Sequence, residues 1–192
     1  MTFKKNIFFI GVFDKDMKST NTSQLMSLRE IGHRVTEYNY RKIAKKIGPN
    51  KRDLDMVSLV KKHNFDLVIY SKCNRVSLNA FKEINKITKT CMWFMDPISN
   101  YGKEMINKTK EVDYFCCDKK NVLAAALKIN KNSFYVCEGY NQYVDKPHNI
   151  KKQYDVSFIG NIYGYRQKMI NKIETPVKVI SNAYGLKHSI EV

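Results

Sequence analysis

What the chain lacks narrows its function before anything present is weighed. Its five cysteines, Cys73, Cys91, Cys116, Cys117 and Cys137, form no CxxC pair, and the four histidines show no ligand spacing, so no metal site is expected. An odd count placed mostly inside apolar runs points to reduced core thiols and a cytoplasmic setting. No run approaches the roughly 18 apolar residues of a membrane-spanning helix. The amino-terminal FKKNIFFIGVFDKD has a basic start, but its apolar run is short and no small-residue cleavage site follows. A soluble protein without a transmembrane segment is the expectation. No GxGxxG follows the first strand, and neither a P-loop nor a GxSxG elbow occurs, which excludes the classical dinucleotide, Walker-type and nucleophile-elbow signatures. Glycine and proline are scarce, and there is no internal repeat or low-complexity segment.

Acidic residues are also in short supply. Asp and Glu total 18 against 34 Lys and Arg, a formal charge of +16, which would suit a polyanion such as nucleic acid, nucleotide phosphate or an anionic membrane face. The charge is scattered through KKN, RKIAKK, NKITK and IKKQ and forms no single block, so most of it reads as solvated surface. Hydrophobic residues at 43% and aromatic residues at 12% are enough to bury a core, and 192 residues allow one full domain with an appendage.

Short apolar runs alternate with helical patterns along the chain. Residues 6–13 read as a strand buried on both faces, 24–31 as a helix closing on Gly32, and HRVTEYNY as a second strand. A long basic connection then leads to a helix near 53–63, with Met56, Leu59, Val60 and His63 on one face. DLVIYSKC, TCMWFMDP, DYFCC and SFYVCEGY supply four more strands, with helices at 77–88 and NVLAAALKI between them. This alternation predicts an α/β, Rossmann-like, mostly parallel sheet with helices on both faces, spanning 1–142. Pro147 and a charge run mark 143–153 as a linker. Residues 154–192 then open a second unit of the same kind, strand, glycine turn, helix and a strand at VKVIS.

Ligands of such sheets meet the carboxyl ends of the strands. The polar residues there are Asp14 and Asp16, Ser71 to Asn74, Asp96, Asp118, and Glu138 to Asn141. Asp14 and Asp16 have DxD spacing, but Asp53 and Asp55 repeat it at a helix start, so coincidence is the better account. His33 lies where helix turns into strand two and is read as a packing residue.

The order of these landmarks resembles the amino-terminal half of a GT-B type glycosyltransferase of the group related to the spore-maturation protein CgeB. KNIFFIG, LREIGHRVTEYNY, FDLVIYSK, CMWFMDP, DYFCCDKKNVLAAALKI, FYVCEGYNQYVDKP and YDVSFIGNIYGYRQKMINKI carry the likeness. The resemblance implies an acceptor-side first domain and the beginning of a donor-side second one, hence a chain incomplete or inactive by itself unless a separate chain supplies the remaining donor half. It implies a nucleotide-sugar as co-substrate with no other cofactor and no metal, and an acceptor whose identity stays open. Asp96 and Asp14 become candidate bases for the acceptor hydroxyl. Gly160, Asn161, Tyr163, Gly164 and Arg166 become candidates for the donor phosphates, and Asn74, Glu138 and Asn141 for the acceptor side.

Two other classes stay open: a nucleic-acid-binding or DNA-modifying protein, favoured by Tyr-rich basic segments such as TEYNYRKIAKK, and a non-catalytic interaction module on the same fold. Scattered charge leads us to expect only weak, sequence-independent binding to duplex DNA. Titration at two salt concentrations should show affinity falling steeply as salt rises; salt-resistant recognition of one sequence would contradict this.

Overall fold

A computed structural model describes residues 4–15, 19–147, 149, 151–162, 164–181 and 188–191. The chain separates into two compact units, Met1–Asp145 and Lys146–Val192. The first contains β1 (Asn6–Gly11), α1 (Thr20–Glu30), β2 (Arg34–Asn39), α2 (Tyr40–Ile47), α3 (Pro49–Lys62), β3 (Leu67–Ser71), α4 (Leu78–Asn85), β4 (Thr90–Phe94), α5 (Lys103–Glu111), β5 (Tyr114–Cys117), α6 (Lys120–Leu127) and β6 (Ser133–Tyr135). The six strands form one sheet in the order β2-β1-β3-β4-β5-β6, and every neighbouring pair is parallel. This is a Rossmann-like α/β fold.

Strand alternation explains its two layers, because successive side chains point to opposite faces. Phe8, Ile10, Val68, Tyr70, Met92, Phe94, Phe115 and Cys117 point one way and meet Met56 and Val60 of α3, Phe81 and Ile84 of α4, Met105 of α5 and Val122 and Ala126 of α6 in the main core. Ile7, Phe9, Val35 and Ile69 point the other way and meet Leu25 of α1 in a smaller cluster. One helix therefore covers the second face only in part.

Three segments differ from the sequence reading. The basic connection at 40–47 is helical: Asn39 Oδ1 accepts from the Lys42 N–H at 3.1 Å, Gly48 at φ 87° ends the helix, and Pro49 starts the next. Tyr40 is buried while Arg41, Lys42, Lys45 and Lys46 are exposed, so four cations obscured a short apolar face. Helix α5 was not anticipated either, because among its buried positions Lys108 and Thr109 are polar and interrupt the apolar period. β6 is also shorter than the run SFYVCEGY suggests, ending at Tyr135.

The second unit contains β7 (Val156–Ile159), α7 (Tyr165–Ile170), β8 (Val177–Ser181) and β9 (His188–Glu191). β7 and β8 are parallel, and β9 adds an antiparallel edge that the polar HSIE did not announce. Ile170, Val177 and Val179 form its small core with Val156, Phe158 and Ile162.

Two cations lie inside the first unit. Arg52 is 2% exposed and Lys108 is 1% exposed. Arg52 reaches Asp53 Oδ1 from two nitrogens, at 2.8 and 2.6 Å, and donates to the Arg75 carbonyl at 2.6 Å. Asp53 Oδ2 in turn accepts the Ser77 N–H at the start of α4 at 3.0 Å. Replacing Arg52 by Met should cost about 3–5 kcal/mol, since it strands a shielded carboxylate and a carbonyl. Urea denaturation measures the loss, and a change under about 1 kcal/mol would mean that the guanidinium contributes little.

Candidate functional site

The loop that follows β3 has an uncommon backbone. Lys72 at φ 61° and Cys73 at φ 51° are consecutive non-glycine residues in the left-handed region, where each costs roughly 1–2 kcal/mol. The surrounding structure holds them there. Lys108 Nζ donates to the Cys73 carbonyl at 2.9 Å, Arg52 binds the Arg75 carbonyl, and the Cys73 thiol points at the Ile10 carbonyl at 3.5 Å. The Lys72 N–H donates to the Trp93 carbonyl at 3.0 Å, extending the β3–β4 pairing by one bond. Burial pushes the Cys73 thiol up to about 12, so it stays neutral and acts as a donor. The Lys108 ammonium also contacts Glu104 at 2.5 Å and sits 5.2 Å from the Phe81 ring centre.

This backbone directs Lys72 to the end of β4, where its Nζ lies 2.6 Å from Asp96 Oδ1. The pair is only partly shielded, with the two side chains 36% and 28% exposed. It borders a cleft of about 420 Å³ whose other polar walls include Asn74, Ser99, Asn100 and Lys103. The Tyr40 hydroxyl contacts Asn74 Oδ1 at 3.3 Å and accepts from Arg41 Nε at 3.1 Å. Burial raises the Tyr40 pKa, which keeps that hydroxyl protonated. α5 opens at this cleft, and its N-cap, Gly102, has no side chain to cap the first N–H groups.

The strand order reverses direction between β1 and β3, where open α/β sheets usually form their crevice. Here Asn21 bridges it. Its Oδ1 accepts from the Val12 N–H at 2.8 Å and its Nδ2 donates to Ser71 Oγ at 2.6 Å. Gly11 is required beside it, because a Cβ there would lie 2.8 Å from Asn21 Oδ1. The open cleft is consequently displaced by one strand, to β3 and β4.

The candidate residues divide among separate places. Asp96 and Asn74 share the Lys72 cleft. Asp14 does not line it; its N–H donates to Thr22 Oγ1 at 3.0 Å beside the start of α1. Glu138 and Asn141 line a second cavity, between α1 and the segment after β6, that shares no residue with the first. In the second unit the Gly160 N–H is donated to the Ile180 carbonyl at 2.9 Å and so is unavailable to a phosphate. Arg166 folds back onto the Asn161 carbonyl at 3.0 Å, and Gly164 precedes the six-residue α7. Tyr163 and Asp16 lie outside the described residues. Asp53 and Asp55 have structural partners, Arg52 and the Tyr38 hydroxyl at 2.7 Å. His33 Nδ1 accepts from the Lys5 N–H at 3.3 Å where α1 meets the sheet. Among the described residues no group of three or more His, Cys, Asp or Glu could hold a metal ion, and no helix is long and apolar enough to cross a membrane.

Sequence reasoning singled out neither Lys72 nor the buried pair Arg52 and Lys108. Lys72 stood in the polar stretch after β3, but its left-handed backbone leaves no trace in residue type.

No family model matches the chain, and no curated protein matches it either. The fold and the cleft therefore carry the functional reading.

The strain at Lys72 predicts an inverted substitution order. Lys72→Gly should be more stable than Lys72→Ala by about 1 kcal/mol, because glycine adopts φ 61° freely and alanine does not. At an ordinary helix or strand position the order is the opposite. Thermal or chemical denaturation of the two variants decides it, and a more stable Ala variant would deny the strain.

Proposed function

We propose that this chain acts in sugar transfer from a nucleotide-sugar, with the Lys72 and Asp96 cleft as the place where an acceptor hydroxyl is activated. The observation that carries the reading is the Asp96 carboxylate at the carboxyl end of β4, with Lys72 on Oδ1 and no hydrogen bond to Oδ2 among the described residues. Lys72 fixes the carboxylate plane, and Oδ2 is left to accept the proton of a hydroxyl bound in the cleft. Asn74, Ser99 and Asn100 offer amide and hydroxyl groups suited to orienting a polyol. A second α/β unit that opens with a parallel strand, glycine turn, helix and strand supports a two-domain transferase of the GT-B kind. In that reading Arg166 supplies charge to the donor phosphates from its place beside Gly160 and Asn161.

A second reading has its own observation. Arg41, Lys42, Lys45 and Lys46 are exposed on α2, and Arg41 is tied through Tyr40 to Asn74 of the cleft. A polyanion such as DNA lying along α2 would approach the same carboxylate, so the acceptor and the nucleic-acid readings converge on one edge of the sheet.

Release of nucleoside diphosphate from a panel of nucleotide-sugars, with a complementary donor-side domain added or fused and with saccharides or DNA as acceptors, tests both. Asp96→Asn should lower the turnover number by about 100-fold or more while leaving donor affinity nearly unchanged, as expected of a group that acts on the acceptor proton in the transition state. Full activity in that variant would remove Asp96 as the base. Failure of the complemented protein to bind any nucleotide-sugar would argue against the transfer reading.

A further inference from the structure

The second cavity of the first unit has a chemistry opposite to that of the Lys72 cleft. It encloses about 550 Å³ between one face of α1 and the segment from Cys137 to Asp145, a volume in the range of small-molecule sites. Thr20, Ser23, Gln24, Ser27, Leu28 and Ile31 recur with helical spacing and form one wall. The opposite segment is fastened to α1 by three hydrogen bonds: Asn141 Nδ2 to Ser23 Oγ at 2.9 Å, Gln142 Nε2 to Glu30 Oε1 at 3.2 Å, and the Tyr143 hydroxyl to the same Glu30 oxygen at 2.6 Å. The cavity is thus built by folded chain and is not a gap beside a dangling segment.

Trp93 lines its floor. The neighbouring Met92 and Phe94 point into the main core, so alternation along β4 turns the indole to the α1 side, where helix cover is incomplete. The Trp93 N–H is buried without an acceptor among the described residues. Tyr140, 76% exposed, supplies a second aromatic surface at the rim. In a chain with 34 Lys and Arg, none of the 14 lining residues is a cation; the only charged ones are Glu138 and Asp145.

The polar groups of the wall are incompletely used. Gln24 Oε1 accepts from Asn21 Nδ2 at 3.0 Å, but its Nε2 donates only to the Met95 thioether, at 3.3 Å, a weak acceptor. Thr20 Oγ1 and the Glu138 carboxylate make no hydrogen bond among the described residues. Ser23 Oγ accepts from Asn141 and keeps a proton to donate. A ligand that satisfies these groups must both donate and accept, present an apolar ring face to Trp93 and Tyr140, and bring no negative charge toward Glu138 and Asp145.

We infer that this cavity is a binding site for a neutral saccharide ring, separate from the Lys72 and Asp96 cleft. A pyranose has the required form, with C–H groups on its faces for the aromatic surfaces and hydroxyls around its edge for Gln24, Thr20, Ser23 and Glu138. A sugar phosphate or uronate is disfavoured by the two carboxylates and by the lack of a cation among the described lining residues; Lys119, which feels Glu138 from outside the lining, is already paired with Asp118. Binding here does not require that the chain catalyse transfer.

Trp93 is the only tryptophan of the chain, and it lines this cavity, so its emission reports on binding there. Titration of the full chain with cellotriose, maltotriose and the trimer of N-acetylglucosamine should give a saturable change in tryptophan fluorescence with at least one of them. Glucose 6-phosphate and spermidine, added at the same concentrations, should give none. Tyr140→Ala, at an exposed position where loss of folding is not expected, and Gln24→Ala, with its fold checked by circular dichroism, should each weaken the response by about tenfold. Asp96→Asn should leave it unchanged, which separates failure of this site from failure of the transfer reading. The inference is overturned by the absence of a saturable change with all three trisaccharides, by an equal response to the sugar phosphate or to spermidine, by full binding in both cavity variants, or by a response that depends on Asp96.

Discussion

The loop after β3 is held by two cations taken out of water. Moving an ammonium or guanidinium into a protein interior costs several kcal/mol unless its donors are satisfied, and here Lys108 and Arg52 satisfy theirs largely on main-chain carbonyls and adjacent carboxylates. The carbonyls belong to Cys73 and Arg75, the former in a backbone conformation that L-residues rarely adopt. The strain of the loop and the burial of the charges are therefore two sides of one arrangement. Without it, Lys72 would not be directed at Asp96, and the cleft at the end of β4 would lose its charged pair.

That arrangement draws on most of the unit. Arg52 comes from α3, Lys108 from α5, and the thiol of Cys73 reaches back to β1 through the Ile10 carbonyl. Tyr40, at the start of α2, joins it by contacting Asn74 on one side and accepting from Arg41 on the other. Asp53 links it forward to the amino end of α4 through the Ser77 N–H. A parallel sheet with helices on its main-core face thus converges, at the carboxyl ends of β3 and β4, on a single polar cluster. Among the described residues of the first unit, α1 is the one helix in the core cluster of the other face, and the room left beside Trp93, between α1 and the segment after β6, becomes the second cavity. The two recesses differ in chemistry because they stand on opposite faces of one strand, Phe94 lining the first and Trp93 the second.

Much of the fold could be read from the chain because its signals are local. Buried strands of a parallel sheet appear as continuous apolar runs, and IFFI, LVIY, CMWF and YFCC all show this. Where a helix buried polar groups the reading failed: α5 places Lys108 and Thr109 inward, and α2 surrounds Tyr40 and Ile43 with cations. The candidate site was legible only in part. Asp96 and Asn74 could be placed at strand ends by topology and do share a cleft, whereas Glu138 and Asn141, grouped with Asn74 by the same rule, line a different cavity. Strand-end position fixes which edge of the sheet a residue occupies, but not which face.

The sequence by itself determined the alternation of strand and helix, the parallel sheet that follows from it, the glycine turn opening the second unit, and the excess of positive charge, because each depends on residue type and short-range spacing. Tertiary structure alone decided the rest. It placed Lys72 against Asp96 across 24 residues and Lys108 against Cys73 across 35, filled the usual crevice between β1 and β3 with Asn21, and spent the Gly160 N–H on Ile180. The physical reason is that left-handed backbone, burial of a charge and the aim of a side chain are set by the partners that surround a residue. Those partners lie far away in the chain and are brought together only by the folded sheet.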